Sequence, residues 1–164
     1  GARTHLLGCQ REKQTQEIRE REKCREVLSV SLNIPLRVRN LVAQHDTSDP
    51  YRIAKELNCS VYFLDLPSTV NGFWKRTLRR KTIAINKNLP EWQQAAVLCH
   101  ELGHIICRGR YTAFSMRNAS YSNTRIEREA DEFTKCLMAY HYDLEECYVS
   151  QFLSEGWRTI SPHD

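Results

Sequence analysis

The chain has 164 residues, enough for one domain with a buried core, and its 41% hydrophobic and 27% charged content is typical of a soluble globular protein. The net charge of +4 is too small to indicate a nucleic-acid-binding protein, and no stretch reaches the ~18 apolar residues of a membrane span. The seven cysteines occur singly, without a Cys-x-x-Cys pair, which favours reduced thiols in a cytoplasm over a disulfide framework.

The first 37 residues are predicted to form a helical arm or extension, ahead of a domain over residues 38–164. Residues 11–27 mix both charge signs at helical spacing, as in a solvated helix, whereas a basic DNA-binding segment would be more one-sided. A short helix is predicted next, in the stretch TSDPYRIAKELNC, with Asp49 as its N-cap and Pro50 in its first turn.

Three short strands are predicted in the middle of the chain. The stretch SVYFLDL (60–66) is rich in strand formers, and GFWKRT (72–77) and TIAIN (82–86) flank a polar turn as in an antiparallel hairpin. TIAIN or its hairpin partner could present an edge to an extended substrate. Cations cluster on the hairpin and its turn: Lys75, Arg76, Arg79, Arg80 and Lys81. A charged turn in water explains them best, although an acidic partner could dock there.

Helices are predicted for most of the remaining chain. One begins at Pro90, has an apolar middle and ends at Gly109; after a predicted loop (109–123), a second covers about residues 124–140. Its apolar face consists of Ile126, Ala130, Phe133 and Leu137. A last helix is predicted from Asp143, with Glu146 in a capping box, to near Gly156.

The elements together predict an α+β fold, in which a small antiparallel sheet of about three strands packs against the helix from Pro90 and a helical C-terminal part.

The helix from Pro90 carries the motif HELGH at residues 100–104. Histidines four residues apart lie on the same helical face, so His100 and His104 can bind one ion. Glu101 can reach a metal-bound water without binding the metal, as in zinc peptidases. Because burying these groups is costly without a partner, the motif predicts zinc.

A catalytic zinc usually has three protein ligands, so a third is required. The metzincin pattern needs a glycine and a histidine where this chain has Cys107 and Arg110, which excludes that pattern. A glutamate from the following helix is the other common solution. We expect Glu127 to be the ligand, because it borders the apolar face, although it is also placed to complete a capping box with Thr124.

Other polar residues of this region receive supporting roles. Asp131, one turn beyond the predicted glutamate ligand, is expected to accept a hydrogen bond from a ligand histidine. Glu129 and Glu132 are predicted to point more toward solvent. Three residues of the predicted loop are candidate oxyanion donors, which the sequence does not rank: Tyr111, Tyr121 and Arg110.

Four segments together resemble the ImmA/IrrE family of zinc metallopeptidases, over about residues 38–140: DPYRIAKELNCSVYFLDL, GFW, TIAINKNLPEWQQAAVLCHELGHIIC and EREADEFTKCLM. The resemblance implies a gluzincin-like site, in which zinc is bound by His100, His104 and Glu127 and catalysis is performed by Glu101. Asp131 matches the acidic position one turn after the glutamate ligand. The chain departs from the family pattern at two packing positions, Thr134 and Ala139.

The resemblance implies a cytoplasmic metalloendopeptidase that cleaves a specific helix-turn-helix repressor of a phage or mobile element. In the expected mechanism, zinc lowers the pKa of its water toward ~7, and Glu101 takes the proton and passes it to the leaving amine. Family members are often joined to a DNA-binding domain, for which the first 37 residues offer no room. Two alternatives stay open: a zinc-containing module that binds a regulator without cutting it, with Cys99 or Cys107 as a fourth ligand, and a general intracellular peptidase.

Overall fold

The computed structural model describes residues 14–16, 18–19, 31–108, 120–142, 149 and 151–153, and gives the backbone alone for residues 108, 120–124 and 141. The chain divides into two compact units, residues 1–32 and 33–164. In the first unit, residues 14–16 and 18–19 are helical, and residues 31 and 32 belong to neither a helix nor a strand. The predicted division at residues 37 and 38 falls inside a helix of the second unit, and where the peptidase domain begins stays a prediction.

The second unit contains, in chain order, α1 (Ile34–His45), α2 (Pro50–Glu56), β1 (Cys59–Leu64), β2 (Gly72–Thr77), β3 (Arg80–Asn86), α3 (Glu91–Arg108) and α4 (Ser120–His141). The predicted α+β class is therefore confirmed. Helix α4 begins at Ser120, so the end of the predicted 109–123 loop is helical. Of the predicted last helix, only residues 149 and 151–153 are described, and they are helical; its capping box lies outside the described residues. No helix of the described part combines the length and apolar content that a bilayer span requires.

Local sequence explains the start of α2. The Asp49 side chain accepts a hydrogen bond from the Tyr51 backbone N–H at 3.0 Å, and Pro50 occupies the first helical position, where its missing N–H costs nothing. The predicted N-cap is thus confirmed. Two residues after the helix, Asn58 adopts a left-handed conformation with φ of 54°. This reversal leads the chain directly into β1.

The three strands form one mixed sheet in the order β1-β3-β2. Strand β2 is antiparallel to β3, as predicted, but β1 is parallel to β3. The order follows from burial, because the last four residues of β3 are buried, and a buried strand needs hydrogen-bond partners on both edges. Both edges of β3 are occupied, so TIAIN itself cannot present an edge to substrate. Its hairpin partner β2 is an outer strand, and that half of the suggestion stays a prediction.

Helix α3 packs against the sheet at a point where only glycine fits. A Cβ added to Gly72 on β2 would lie 2.5 Å from Cγ1 of Val97 and 2.6 Å from the Ala84 carbonyl oxygen. On its other side α3 packs along α4, whose predicted apolar face is buried: Ile126, Ala130, Phe133 and Leu137. Each large side chain buried in this way contributes roughly 1.5–3 kcal/mol. The contact fixes α4 against the face of α3 that carries the histidines.

Candidate metal centre

The two histidines of the HELGH motif are buried on one face of α3, with 0% of His100 and 4% of His104 exposed. Their rings meet edge to face, with centroids 4.6 Å apart. The Nε2 atoms of the two rings are 3.0 Å from each other. Both lone-pair positions therefore point at one region of space, as the spacing of four residues predicts.

Helix α4 brings Glu127 to the same region. One carboxylate oxygen of Glu127 lies 3.1 Å from Nε2 of His100, and the other lies 3.4 Å from Nε2 of His104. Donors held tetrahedrally at the usual zinc distances of about 2.0–2.1 Å are separated by about 3.3 Å. The two histidine nitrogens are 3.0 Å apart, and each lies 3.1 or 3.4 Å from a different oxygen of Glu127, which is close to that value. One ligand atom from each residue lies within 4.8 Å of the others, so the three residues could hold a metal ion, and the described residues contain no other His/Cys/Asp/Glu group of this kind.

The charges of this cluster are strongly coupled. Burial lowers the pKa of His100, but contacts with Asp131 and Glu127 outweigh it and raise that pKa to about 9. Burial raises the pKa of Glu127, but the two histidines overcome this effect and hold it at about 2. A half-buried carboxylate kept ionised beside two buried imidazoles is a set of donors suited to a divalent cation.

Glu101 lies beside the cluster and is not one of its donors. It is 1% exposed, and its Oε1 atom makes no hydrogen bond within the described part of the chain. Burial raises the pKa of Glu101, and Glu127 raises it further, whereas His104 and His100 act in the opposite direction. A buried carboxyl with a raised pKa and a free oxygen is the type of group that can take up and release a proton.

Asp131 lies one turn beyond Glu127, behind His100. Its Oδ1 is 3.1 Å from Nδ1 of His100, the ring nitrogen that faces away from the other donors. The two atoms are close, but the geometry is not that of an aligned hydrogen bond. The contact can still fix the ring orientation and hold the proton on Nδ1, which leaves Nε2 as the donor.

The close approach of α3 and α4 depends on Gly103, whose role the sequence reading missed. A Cβ at this position would lie 3.1 Å from Cα of Ala130 and 3.2 Å from two atoms of Phe133. These distances are tighter than ordinary van der Waals contact, so an added Cβ would require Ala130 or Phe133 to shift by a few tenths of an ångström. The signal was available in the sequence: a glycine inside a helix, facing an alanine of the next helix.

The remaining predicted residues fall into two groups. Arg110 and Tyr111 lie outside the described residues, and for Tyr121 only the helical backbone is described, so their roles as oxyanion donors stay predictions. The prediction that Glu129 points toward solvent is wrong. Glu129 is 8% exposed, with Oε1 3.4 Å from Nε of Arg125 one turn earlier, and this ion pair offsets the cost of burying it. Glu132 is exposed, as predicted.

An α+β fold with two histidines and a glutamate converging beside a buried acid defines a candidate metallopeptidase. The comparisons with known proteins agree with this class. The family model of peptidase M78, the IrrE N-terminal-like domain, matches residues 54–162. Immunity region protein 2 of Bacillus phage phi105 is 34% identical over 116 residues, covering 70% of this chain and 70% of that protein. No solved structure is a significant match.

The chain therefore belongs to the peptidase M78 family, and the resemblance to ImmA/IrrE proteins is confirmed. Membership of this family shows that the chain is a protein of the peptidase type.

Proposed function

We propose that the chain is a zinc-dependent metalloendopeptidase that cleaves a transcriptional repressor of a phage or mobile element. The observation that carries the proposal is the convergence of His100, His104 and Glu127 from two helices, with the ligand atoms all within 4.8 Å of one another. The buried carboxyl of Glu101 next to this cluster distinguishes a hydrolytic site from a purely structural one, which needs no base.

The three donors are proposed to hold Zn²⁺. Two neutral imidazoles and one carboxylate are a common ligand set of catalytic zinc, and they leave a coordination position for water or substrate. When bound, zinc supplies a Lewis acid for the peptide carbonyl and makes a water molecule acidic near neutral pH. Asp131 is proposed to orient His100 through the Nδ1 contact at 3.1 Å.

Glu101 is proposed as the general base and acid. Its position next to His100 in the helix places the carboxyl beside the donors but outside the donor set. The free Oε1 atom can accept the proton of the attacking water and deliver it to the leaving amine. The raised pKa of Glu101 suits this exchange, because an acid that holds its proton more readily near neutral pH is both a better acceptor and a usable donor.

The proposed substrate class is inferred from the similar phage protein and not from the geometry of the metal centre. The phage protein with 34% identity is named for an immunity region. We therefore propose a cytoplasmic, repressor-specific peptidase that contacts protein and has no direct contact with DNA.

The first test is the conservative substitution Glu101→Gln. We expect the variant to bind zinc as the wild type does, because the amide replaces a group outside the donor set, but to lose repressor cleavage by about 10²–10⁴-fold. Zinc content by atomic emission and fragment formation by mass spectrometry are the measurements. The matched control is Glu132→Gln, which changes an exposed acid of α4 and should leave both properties unchanged.

The substrate class is tested with the same preparations. Zinc-loaded wild type is incubated with a candidate helix-turn-helix repressor of a phage or mobile element and, separately, with casein. Cleavage of the repressor alone supports the proposal, and comparable cleavage of casein indicates a general peptidase. A repressor that binds tightly but stays intact, with wild type and Glu101→Gln behaving alike, indicates a binding module and contradicts the proposed chemistry.

A further inference from the structure

The two outer strands of the sheet differ in how well their edges are protected. Edge strands normally carry charges, prolines or bulges that discourage pairing with other chains. Strand β2 has Lys75 and Arg76, but β1, with the sequence CSVYFL, has no charge, proline or glycine. Three large side chains of β1 are also exposed to solvent, by 55%, 47% and 42%: Tyr62, Phe63 and Leu64. Among the residues that the structure describes, the outer edge of β1 is thus open to pairing.

The hydrogen bonds between β1 and β3 show which backbone N–H and C=O groups of β1 point toward β3 and which point outward. The carbonyl of Leu64 accepts from the N–H of Lys87, on the β3 side. Because backbone groups alternate along a parallel strand, those of Val61 and Phe63 point to the outer edge. No backbone group in the described part of the chain pairs with them. An extended peptide alongside β1 would satisfy these donors and acceptors.

A cleft of about 570 Å³ lies beside the first half of this strand. It is lined by Tyr51 and Lys55 from α2, by Ser60 and Val61 from β1, and by Arg80 at the start of β3. A strand edge flanked by a helix is a common way to bind an extended peptide, with side chains entering the groove. The cleft shares no residue with the metal cluster.

The charge of the cleft indicates which peptide fits it. Neither Lys55 nor Arg80 has an ion-pair partner among the described residues, although acids elsewhere in that part of the chain are paired, such as Glu56 with His45 and Glu129 with Arg125. Two unpaired cations at the end of an uncharged strand edge favour a ligand that combines an extended backbone with a carboxylate.

We propose that the cleft between α2 and β1 binds an extended, acidic segment of a partner protein, which adds to the β1 edge as a fourth strand and directs a carboxylate side chain toward Lys55 and Arg80. The site is separate from the metal centre, so it holds a partner whether or not that partner is cleaved. Backbone pairing supplies most of the contact, and the two cations select acidic sequences.

The test uses a phage-displayed library of random peptides, selected on the full-length chain. We expect enriched peptides to carry aspartate or glutamate within alternating β-branched and aromatic residues. In fluorescence anisotropy, the double substitution Lys55→Gln with Arg80→Gln should weaken their binding by about tenfold or more. The matched control is Arg79→Gln, which removes a neighbouring exposed cation that does not line the cleft and should leave the affinity nearly unchanged.

Strand addition is tested on the peptide, which leaves the protein fold intact. N-methylation of successive residues of a selected peptide should abolish binding at every second position, because only alternate N–H groups face β1. The proposal is overturned if no acidic peptide is enriched, if the cleft substitutions leave binding unchanged, or if N-methylation has no period of two. A dimer that Tyr62→Lys dissociates would also overturn it, by identifying the occupant as a second copy of the chain.

Discussion

The α3–α4 helix pair and the outer edge of β1 differ in whether their polar groups are buried together or exposed to solvent. Between the helices, His100 and Glu101 are almost completely buried, and the donor atoms of the cluster lie within 4.8 Å of one another. Along β1, the outward backbone groups of Val61 and Phe63 have no partner in the described part of the chain, and the side chains beside them are half exposed. In one region, packing brings the polar groups together, and in the other the outward backbone groups have no partner among the described residues.

The difference follows from what each region is proposed to bind. A small cation must meet its donors at fixed distances, so the donors are held by packing, with Gly103 allowing the helices to come close. A peptide that adds a strand brings its own hydrogen-bonding groups, so the edge needs only to be exposed and free of charge. Substitutions should therefore have large effects in the first region and small effects on stability in the second.

The largest effect is expected for Glu127→Gln. The amide keeps the size of the side chain but removes the charge that lies 3.1 and 3.4 Å from the two imidazoles. Zinc affinity should fall by more than about 100-fold. Loss of a residue that only hydrogen-bonds a metal ligand already lowers metal affinity by roughly 10–100-fold, and loss of a ligand should lower it further. Competition with a chromophoric chelator measures it. Glu132→Gln is the matched control on the same helix, and equal affinities for the two variants would exclude Glu127 as a ligand.

A smaller effect is expected for Asp131→Asn, with an additional signature in its pH dependence. Zinc affinity on the high-pH plateau should fall about 10–100-fold, because the ring of His100 loses its orienting partner. Zinc binds neutral imidazole, so apparent affinity rises with pH until His100, with a pKa of about 9, has lost its proton. Asp131 raises that pKa, so in the variant the plateau should begin at a lower pH. An unchanged profile would show that Asp131 does not act on His100.

The parts of the centre that the sequence revealed are those fixed by local geometry. His100, Glu101 and His104 share one turn of helix, so their spacing defines their relation. Glu127 could be selected because the apolar residues of α4 recur at helical spacing in the sequence, and Glu127 borders the face that they form. Glu129 was misjudged because its burial depends on an ion pair with Arg125, which periodicity does not reveal.

The sheet shows the same limit on a larger scale. The hairpin of β2 and β3 is a local pairing and was predicted with the correct strand direction. The parallel pairing of β1 with β3 joins strands that are separated in the chain by β2 and two connections, and no local pattern encodes it. The open edge of β1 is a consequence of this strand order, and it could therefore be recognised only once the fold was known.

The smallest effect is expected for Tyr62→Thr on β1. Threonine keeps the preference for strand structure, and the ring it replaces is 55% exposed, so the free energy of unfolding should change by no more than about 0.5 kcal/mol. Ile83→Thr, in the adjacent buried strand, should cost about 2 kcal/mol or more, because it removes packed methyl groups and buries a hydroxyl. Urea denaturation of both variants measures the difference. Similar losses would mean that Tyr62 contributes to the core, whereas a loss confined to Ile83→Thr would show that the fold does not depend on the exposed ring of β1.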